Sequence, residues 1–233
     1  MKVLRSILFY LVVVFSFPVG SALTCLASLA VKPASKAFRF VASRWSRLLV
    51  LISGVKITVS GKENVPRGEA VIFVSNHQGA ADIPILLASI PVLFRFIIKK
   101  ELFKIPFFGW YLRKADYLCV DRGAADKAHS FMSEAVNLLK AGQDLLIFPE
   151  GTRSRDGKLG EFKRGSLLLA FKAKVKIVPV AVSGSFDVFK GGSLLVNAVP
   201  VRVSIGKPIS LEKYGSKFDK ALEDVRSAIE RML

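Results

Sequence analysis

Hydrophobic and polar positions along this chain follow two regimes. From Ile7 to Val31 no charged residue occurs, a run long enough to enter a bilayer, with Pro18 and Gly20 in its middle. The next stretch, Ala34–Ser53, sets Phe38, Val41, Trp45, Leu48 and Ile52 at alternating steps of three and four, with Arg39, Arg44 and Arg47 between them. That spacing predicts a basic amphipathic helix, suited either to an anionic membrane surface or to packing on a core. The apolar run beside it favours the membrane. Further on, strand-like runs fall at Val55–Ser60, Ala70–Ser75, Phe94–Ile98, Ala115–Val120, Asp144–Phe148, Val175–Val182 and Val199–Ile205. Helical stretches separate most of them: Asp82–Ser89, Phe103–Lys114, Ala124–Ala141, Gly165–Lys174 and Lys217–Met232. This alternation predicts an α/β fold, a mixed and largely parallel sheet flanked by helices, behind an N-terminal membrane-inserting helical segment. The expected division is residues 1–54 for the membrane segment and 55–233 for the α/β domain. Strict alternation in Val201–Ile205 predicts an edge strand, and Ser183-Gly184-Ser185 and Lys190-Gly191-Gly192 read as surface turns.

Charge sharpens the picture of the first segment. The 233 residues carry a net charge of +17 and are 52% hydrophobic, with mean hydropathy +0.42, above what a soluble domain needs. Lys2 and Arg5 precede the apolar run, five Lys and Arg residues follow it by Arg47, and the first acidic residue is Glu63. A cleaved signal peptide, a single spanning helix and a bent helix pair in one leaflet all fit this order. The basic cluster favours retention on the cytoplasmic face of the membrane. Cys25 and Cys119 form no CxxC or metal spacing, so a reducing compartment is expected.

Two motifs can carry chemistry, and each directly follows a strand-like run. Asn76-His77-Gln78-Gly79-Ala80-Ala81-Asp82 holds one of only two histidines. A carboxylate on one ring nitrogen leaves the other free as a base able to take a proton from a hydroxyl. Asp82 can also cap the helix that Pro84 opens. His129, inside a helical stretch, reads as structural. The second motif, Phe148-Pro149-Glu150-Gly151-Thr152-Arg153-Ser154, combines a carboxylate, a glycine turn and a cation, with Arg155, Lys158, Lys163 and Arg164 close behind. Should the two strands run parallel, both motifs reach the same sheet end and a phosphate site follows. Lys99–Trp110 joins basic residues to an aromatic run, and Arg122 closes another strand.

Several chemistries lack their signatures. There is no G-x-S-x-G elbow, no metal-ligand cluster, no dinucleotide fingerprint and no P-loop, because five residues rather than four lie between Gly151 and Gly157 and Leu159 stands where Ser or Thr is required. No cofactor is expected. Aromatics do not interleave with the basic residues as a nucleic-acid platform requires, so the charge is assigned to membrane lipid, phosphate and an acidic carrier.

The two motifs, in order with Lys100-Glu101-Leu102, Ile105-Pro106, Gly109-Trp110, Arg122 and Val178-Pro179-Val180, resemble the blocks of the HX4D glycerolipid acyltransferases, most nearly the bacterial 1-acylglycerol-3-phosphate acyltransferases. The resemblance covers roughly residues 55–210; Gly79 departs from it, standing where many members carry serine. It implies transfer of an acyl group from an acyl thioester, on acyl carrier protein or coenzyme A, to the sn-2 hydroxyl of lysophosphatidic acid, giving phosphatidic acid. His77 would be the general base and Asp82 its orienter, without an acyl-enzyme. Glu150, Gly151, Thr152 and Arg153 would bind the acceptor, with Lys100 and Arg122 near its phosphate. Backbone N–H groups near Gly151 are candidates for the developing oxyanion. Competing readings are an acyltransferase for glycerol-3-phosphate or another lysolipid, a non-catalytic lipid-binding or transfer protein, and a lipid hydrolase in which His77 activates water.

Overall fold

The apolar N-terminal run forms one long helix, α1 (Lys2–Ala30), continuous through Pro18. A short turn leads to α2 (Ala34–Ser53), which Gly54 ends in the left-handed conformation that glycine tolerates, its N–H on the Leu51 carbonyl. The remaining elements are β1 (Lys56–Ser60), β2 (Val71–Ser75), α3 (Asp82–Ser89), β3 (Phe94–Lys99), α4 (Phe108–Lys114), β4 (Leu118–Val120), α5 (Ala125–Lys140), β5 (Asp144–Ile147), α6 (Gly165–Ala173), β6 (Lys176–Ser183), β7 (Pro200–Ile205) and α7 (Phe218–Glu230). This computed structural model describes residues 2–120 and 125–233.

The strands form a single seven-stranded sheet in the order β1-β7-β6-β2-β5-β3-β4. β6, β2, β5, β3 and β4 run parallel, while β7 is antiparallel to β6 and parallel to β1. The fold is therefore the expected mixed, largely parallel α/β sheet. Residues of β2 alternate between two cores. Val71 and Phe73 face a layer shared with Phe94, Phe96, Leu146, Val180 and the helices α1 to α4. Ile72 and Val74 face Leu145, Ile147, Ile177 and the helices α5 to α7. All five β2 residues are buried, as a strand covered on both faces requires.

Two expectations change. β7 lies inside the sheet between β1 and β6, and β1 is the edge. The alternation in Val201–Ile205 reports a strand with one face open to solvent, since Val201, Val203 and Ile205 are buried and Arg202 is exposed. Such a pattern describes faces, not position in the sheet. α2, for its part, packs into the core beneath α1. Its buried stripe is Ala37, Phe38, Arg39, Ala42, Ser46, Leu49 and Ser53, offset from the apolar spacing, because small residues let neighbouring helices approach. Arg39 donates to the Ala115 carbonyl at 2.9 Å, Tyr111 Oη to the Phe38 carbonyl at 2.7 Å, and Trp45 Nε1 to Ser16 Oγ at 2.7 Å. Packing thus runs unbroken across residue 54. Leu4, Leu11, Val14, Phe15 and Leu26 on the far side of α1 remain exposed, which leaves an apolar face for a bilayer.

One partly buried acid at the start of the central strand β5 has a measurable consequence. Asp144 Oδ1 accepts the Val71 N–H at 2.9 Å, tying the start of β5 to β2, and burial pushes its carboxyl from 3.8 up to about 6. Folded Asp144 holds its proton more tightly than the unfolded residue does. Its contribution is therefore fully present below about pH 4 and is lost as pH rises through about 6. Asp144→Asn keeps an acceptor for Val71 and removes the charge. We expect it to stabilise the protein by about 1–2 kcal/mol at pH 7.5, after allowance for solvent screening, with no gain at pH 4. Thermal unfolding at the two pH values tests this, and an equal effect at both would refute it.

Candidate active site

The site forms where three neighbouring parallel strands, β6, β2 and β5, end together. At the end of β2 the buried Asn76 side chain takes over the ladder: its Oδ1 accepts the Val182 N–H at 2.8 Å and its Nδ2 donates to the Val182 carbonyl at 2.9 Å. That pair of bonds satisfies the backbone of β6 as the chain turns out of the sheet. His77 follows, and the bend closes at Asp82, where α3 begins.

Asp82 is fully buried, at 0% exposure, and it does not cap α3: no side chain caps that helix. Its Oδ2 instead takes His77 Nδ1 at 2.6 Å and the Gly79 N–H at 2.8 Å. Its Oδ1 accepts the Ser185 hydroxyl. An ionised carboxylate only accepts, so within this pair His77 Nδ1 is the donor, and Nε2 is the ring nitrogen turned away from Asp82. The imidazole stacks on Phe148, with centroids 3.9 Å apart and planes 14° from parallel.

The second motif clamps the first. Because β2 and β5 pair in parallel register, the loop after β5 lies beside His77. Glu150 Oε1 accepts the His77 N–H at 2.7 Å and Oε2 accepts the Gly160 N–H at 2.9 Å. The Ser154 N–H donates to the His77 carbonyl at 2.8 Å. Burial pushes the Glu150 carboxyl above its usual range, while the N–H donors from His77 and Gly160 draw it back down. Glu150 is thus turned inward onto backbone. Gly151 has φ +72 and donates its N–H to the Phe148 carbonyl at 3.0 Å. This N–H is engaged within the turn.

A groove of about 1560 Å³ opens over His77, larger than a drug-sized ligand needs and enough for an extended aliphatic chain. Ile83, Phe96, Ile98, Leu102 and Phe148 supply apolar wall. Lys100, Thr152, Arg153 and Lys163 line the same groove, so three cations and a hydroxyl share its wall with His77. Lys163 also closes on Gly151, where a Cβ would lie 3.0 Å from its Nζ. Arg122 lies outside the described residues. His129 is exposed on α5. Among the described residues no group of three or more His, Cys, Asp and Glu side chains gathers to hold a metal.

Sequence reasoning missed Ser185 and the roles of Phe148 and Gly160. Ser185 read as part of a surface turn, yet it is 1% exposed. The available signal was its place directly after the buried run of β6, at the sheet end that holds His77.

Comparisons with known proteins agree with this geometry. Residues 56–183 match the family model described as Acyltransferase. A 1-acyl-sn-glycerol-3-phosphate acyltransferase of Pseudomonas aeruginosa is 32% identical over 185 residues, covering 77% of this chain and 71% of that protein. A chloroplastic 1-acyl-sn-glycerol-3-phosphate acyltransferase of Arabidopsis thaliana is 36% identical over 196 residues, covering 83% of this chain and 53% of that protein. This chain therefore spans about half the length of its chloroplast relatives. The crystal structure of the 1-acyl-sn-glycerophosphate (LPA) acyltransferase PlsC from Thermotoga maritima superposes with a TM-score of 0.86 at 28% identity, covering 99% of this chain and 93% of that one. With both motif-bearing strand ends meeting at one groove, the chain belongs to the Acyltransferase family.

Proposed function

We propose that this protein transfers an acyl group from an acyl thioester to the sn-2 hydroxyl of 1-acylglycerol-3-phosphate, producing phosphatidic acid at the cytoplasmic face of a membrane. The observation that carries this reading is the His77–Asp82 pair, with Nδ1 on the carboxylate at 2.6 Å, facing a groove that joins apolar wall to Lys100, Arg153 and Lys163. A phosphate-bearing lipid needs both kinds of surface. Lys100, Thr152 and Arg153 bind the acceptor, and Arg122 is proposed for its phosphate. Glu150 and Gly151 serve by shaping the turn that carries Thr152 and Arg153. Deprotonation runs from the acceptor hydroxyl to His77 Nε2. The resulting alkoxide attacks the thioester carbonyl carbon, the C–S bond breaks, and the imidazolium returns the proton to the departing thiolate. Asp82 stabilises the imidazolium in between. The donor is a thioester of acyl carrier protein or coenzyme A, whose acidic carrier suits a chain of net charge +17.

Purified protein assayed with lysophosphatidic acid, glycerol-3-phosphate and neutral lysolipids, against both thioester donors, tests the reading. Lysophosphatidic acid should be acylated fastest. In the same assay Arg153→Ala is expected to raise the acceptor KM by ~10-fold or more while the donor KM moves less, as loss of a charge-assisted phosphate contact predicts. Equal turnover of neutral lysolipids by the natural protein would count against a phosphate-bearing acceptor.

A further inference from the structure

The carboxylate that orients His77 has a second oxygen, and that oxygen is held from a distant part of the chain. Ser185, the first residue after β6 and Gly184, is 1% exposed and donates its hydroxyl proton to Asp82 Oδ1. Gln78 Oε1 lies 3.1 Å from the same Oγ, but a hydroxyl has one proton, and a carboxylate is the stronger acceptor. The opposite oxygen, Oδ2, takes His77 Nδ1 and the Gly79 N–H. The two oxygens are therefore pinned from opposite sides, and the carboxylate plane cannot rotate without breaking one set of bonds.

Position 79 offers Asp82 no hydroxyl of its own. Gly79 sits where the resemblance puts serine in many relatives, and it offers Asp82 only its backbone N–H. A Cβ there would meet the Ser185 carbonyl oxygen at 3.5 Å and Phe186 Cα at 3.9 Å, so the bend lies against the segment that begins at Ser185. Among the described residues the hydroxyl on Asp82 is supplied by Ser185.

We propose that Ser185 is a positioning residue for the reaction. It fixes the Asp82 carboxylate so that His77 keeps its proton on Nδ1 and its lone pair on Nε2, toward the groove. Without it Oδ1 loses its donor, the carboxylate turns, and the imidazole samples the other tautomer. This rests on the reading of His77 as the base, and two measurements separate the claims.

The first is steady-state kinetics of Ser185→Ala with lysophosphatidic acid and an acyl thioester. kcat should fall by ~10–100-fold, the size of a lost hydrogen bond to a charged group, while both KM values stay within about twofold. The second is independent of turnover. With only two histidines in the chain, 15N-histidine labelling gives resonances for His77 and an internal control in His129. In Ser185→Ala the His77 nitrogen shifts should move toward the Nε2–H tautomer and His129 should not move. Should the alanine variant not fold, Ser185→Cys keeps the volume with a weak donor and gives the same two readings. An unchanged kcat, a KM that rises with the loss, or unmoved His77 shifts overturns the proposal. His77→Ala run alongside reports on the base itself: full activity there sinks the base, whereas its loss beside a normal Ser185→Ala sinks only the role of Ser185.

Discussion

Replacing His77 with alanine is expected to lower kcat by ~10²–10⁴-fold, the usual worth of a positioned general base, with little change in the KM for the acceptor. The backbone framework should survive, because the His77 N–H and carbonyl keep their bonds to Glu150 and Ser154. What is lost is the ring: the stack on Phe148 and the partner of Asp82 Oδ2. Measured turnover with lysophosphatidic acid and a thioester donor, beside binding of the acceptor, separates a catalyst from a lipid binder. A binder would keep both its affinity and whatever residual turnover it had. Retention of more than about a third of the turnover would therefore rule out His77 as the base. Omitting the acceptor adds a further control, since a hydrolase would still release free fatty acid.

Removing residues 1–54 is expected to abolish folding. Read from sequence alone, that cut falls between two parts; in the fold it passes through packed core. Phe38 is 2% exposed and Leu49 is also buried, and both share a cluster with Phe73, Phe94 and Val180 of the sheet. Burial of each such side chain contributes about 1.5–3 kcal/mol, and deletion also strips cover from the residues beneath them. The Arg39 bond to Ala115, the Tyr111 bond to Phe38 and the Ser43 Oγ bond to the Leu87 carbonyl at 2.8 Å go too. Set against a net stability of about 5–15 kcal/mol for a typical domain, the loss is decisive. The truncated chain should aggregate and show no cooperative thermal transition. Deleting residues 2–30 instead leaves α2 in place and should give a folded but weakened protein that no longer sediments fully with vesicles. A cooperative melt from the larger deletion would refute this account of α2.

The strands were legible because each is short and its pattern is local. Val71–Ser75 reads as a doubly covered strand from its unbroken apolar run, and α3 spans Asp82–Ser89 as its spacing suggests. The turn at Lys100–Lys104 is less regular than the helix expected over Phe103–Lys114, and α4 starts only at Phe108. Pro106 removes the backbone donor that a continuous helix needs there. His77 and Asp82 were legible as a pair because five residues across a tight bend constrain their distance. Glu150 was legible as part of the site but not in its function. Whether a carboxylate faces a ligand or two backbone N–H groups depends on which strand lies alongside, and no spacing encodes that.

By itself, then, the sequence determined the apolar helix at the start, the βα alternation, the charge that suits phosphate and membrane lipid, and the paired histidine and aspartate. Each depends on residues near one another in the chain, where periodicity and turn chemistry act directly. The tertiary structure alone decided that α2 is core, that β7 is interior, that Glu150 faces inward and that Ser185 reaches Asp82 across 103 positions. The last two follow from the strand order β6-β2-β5. Three parallel strands ending side by side gather side chains that the chain itself keeps far apart.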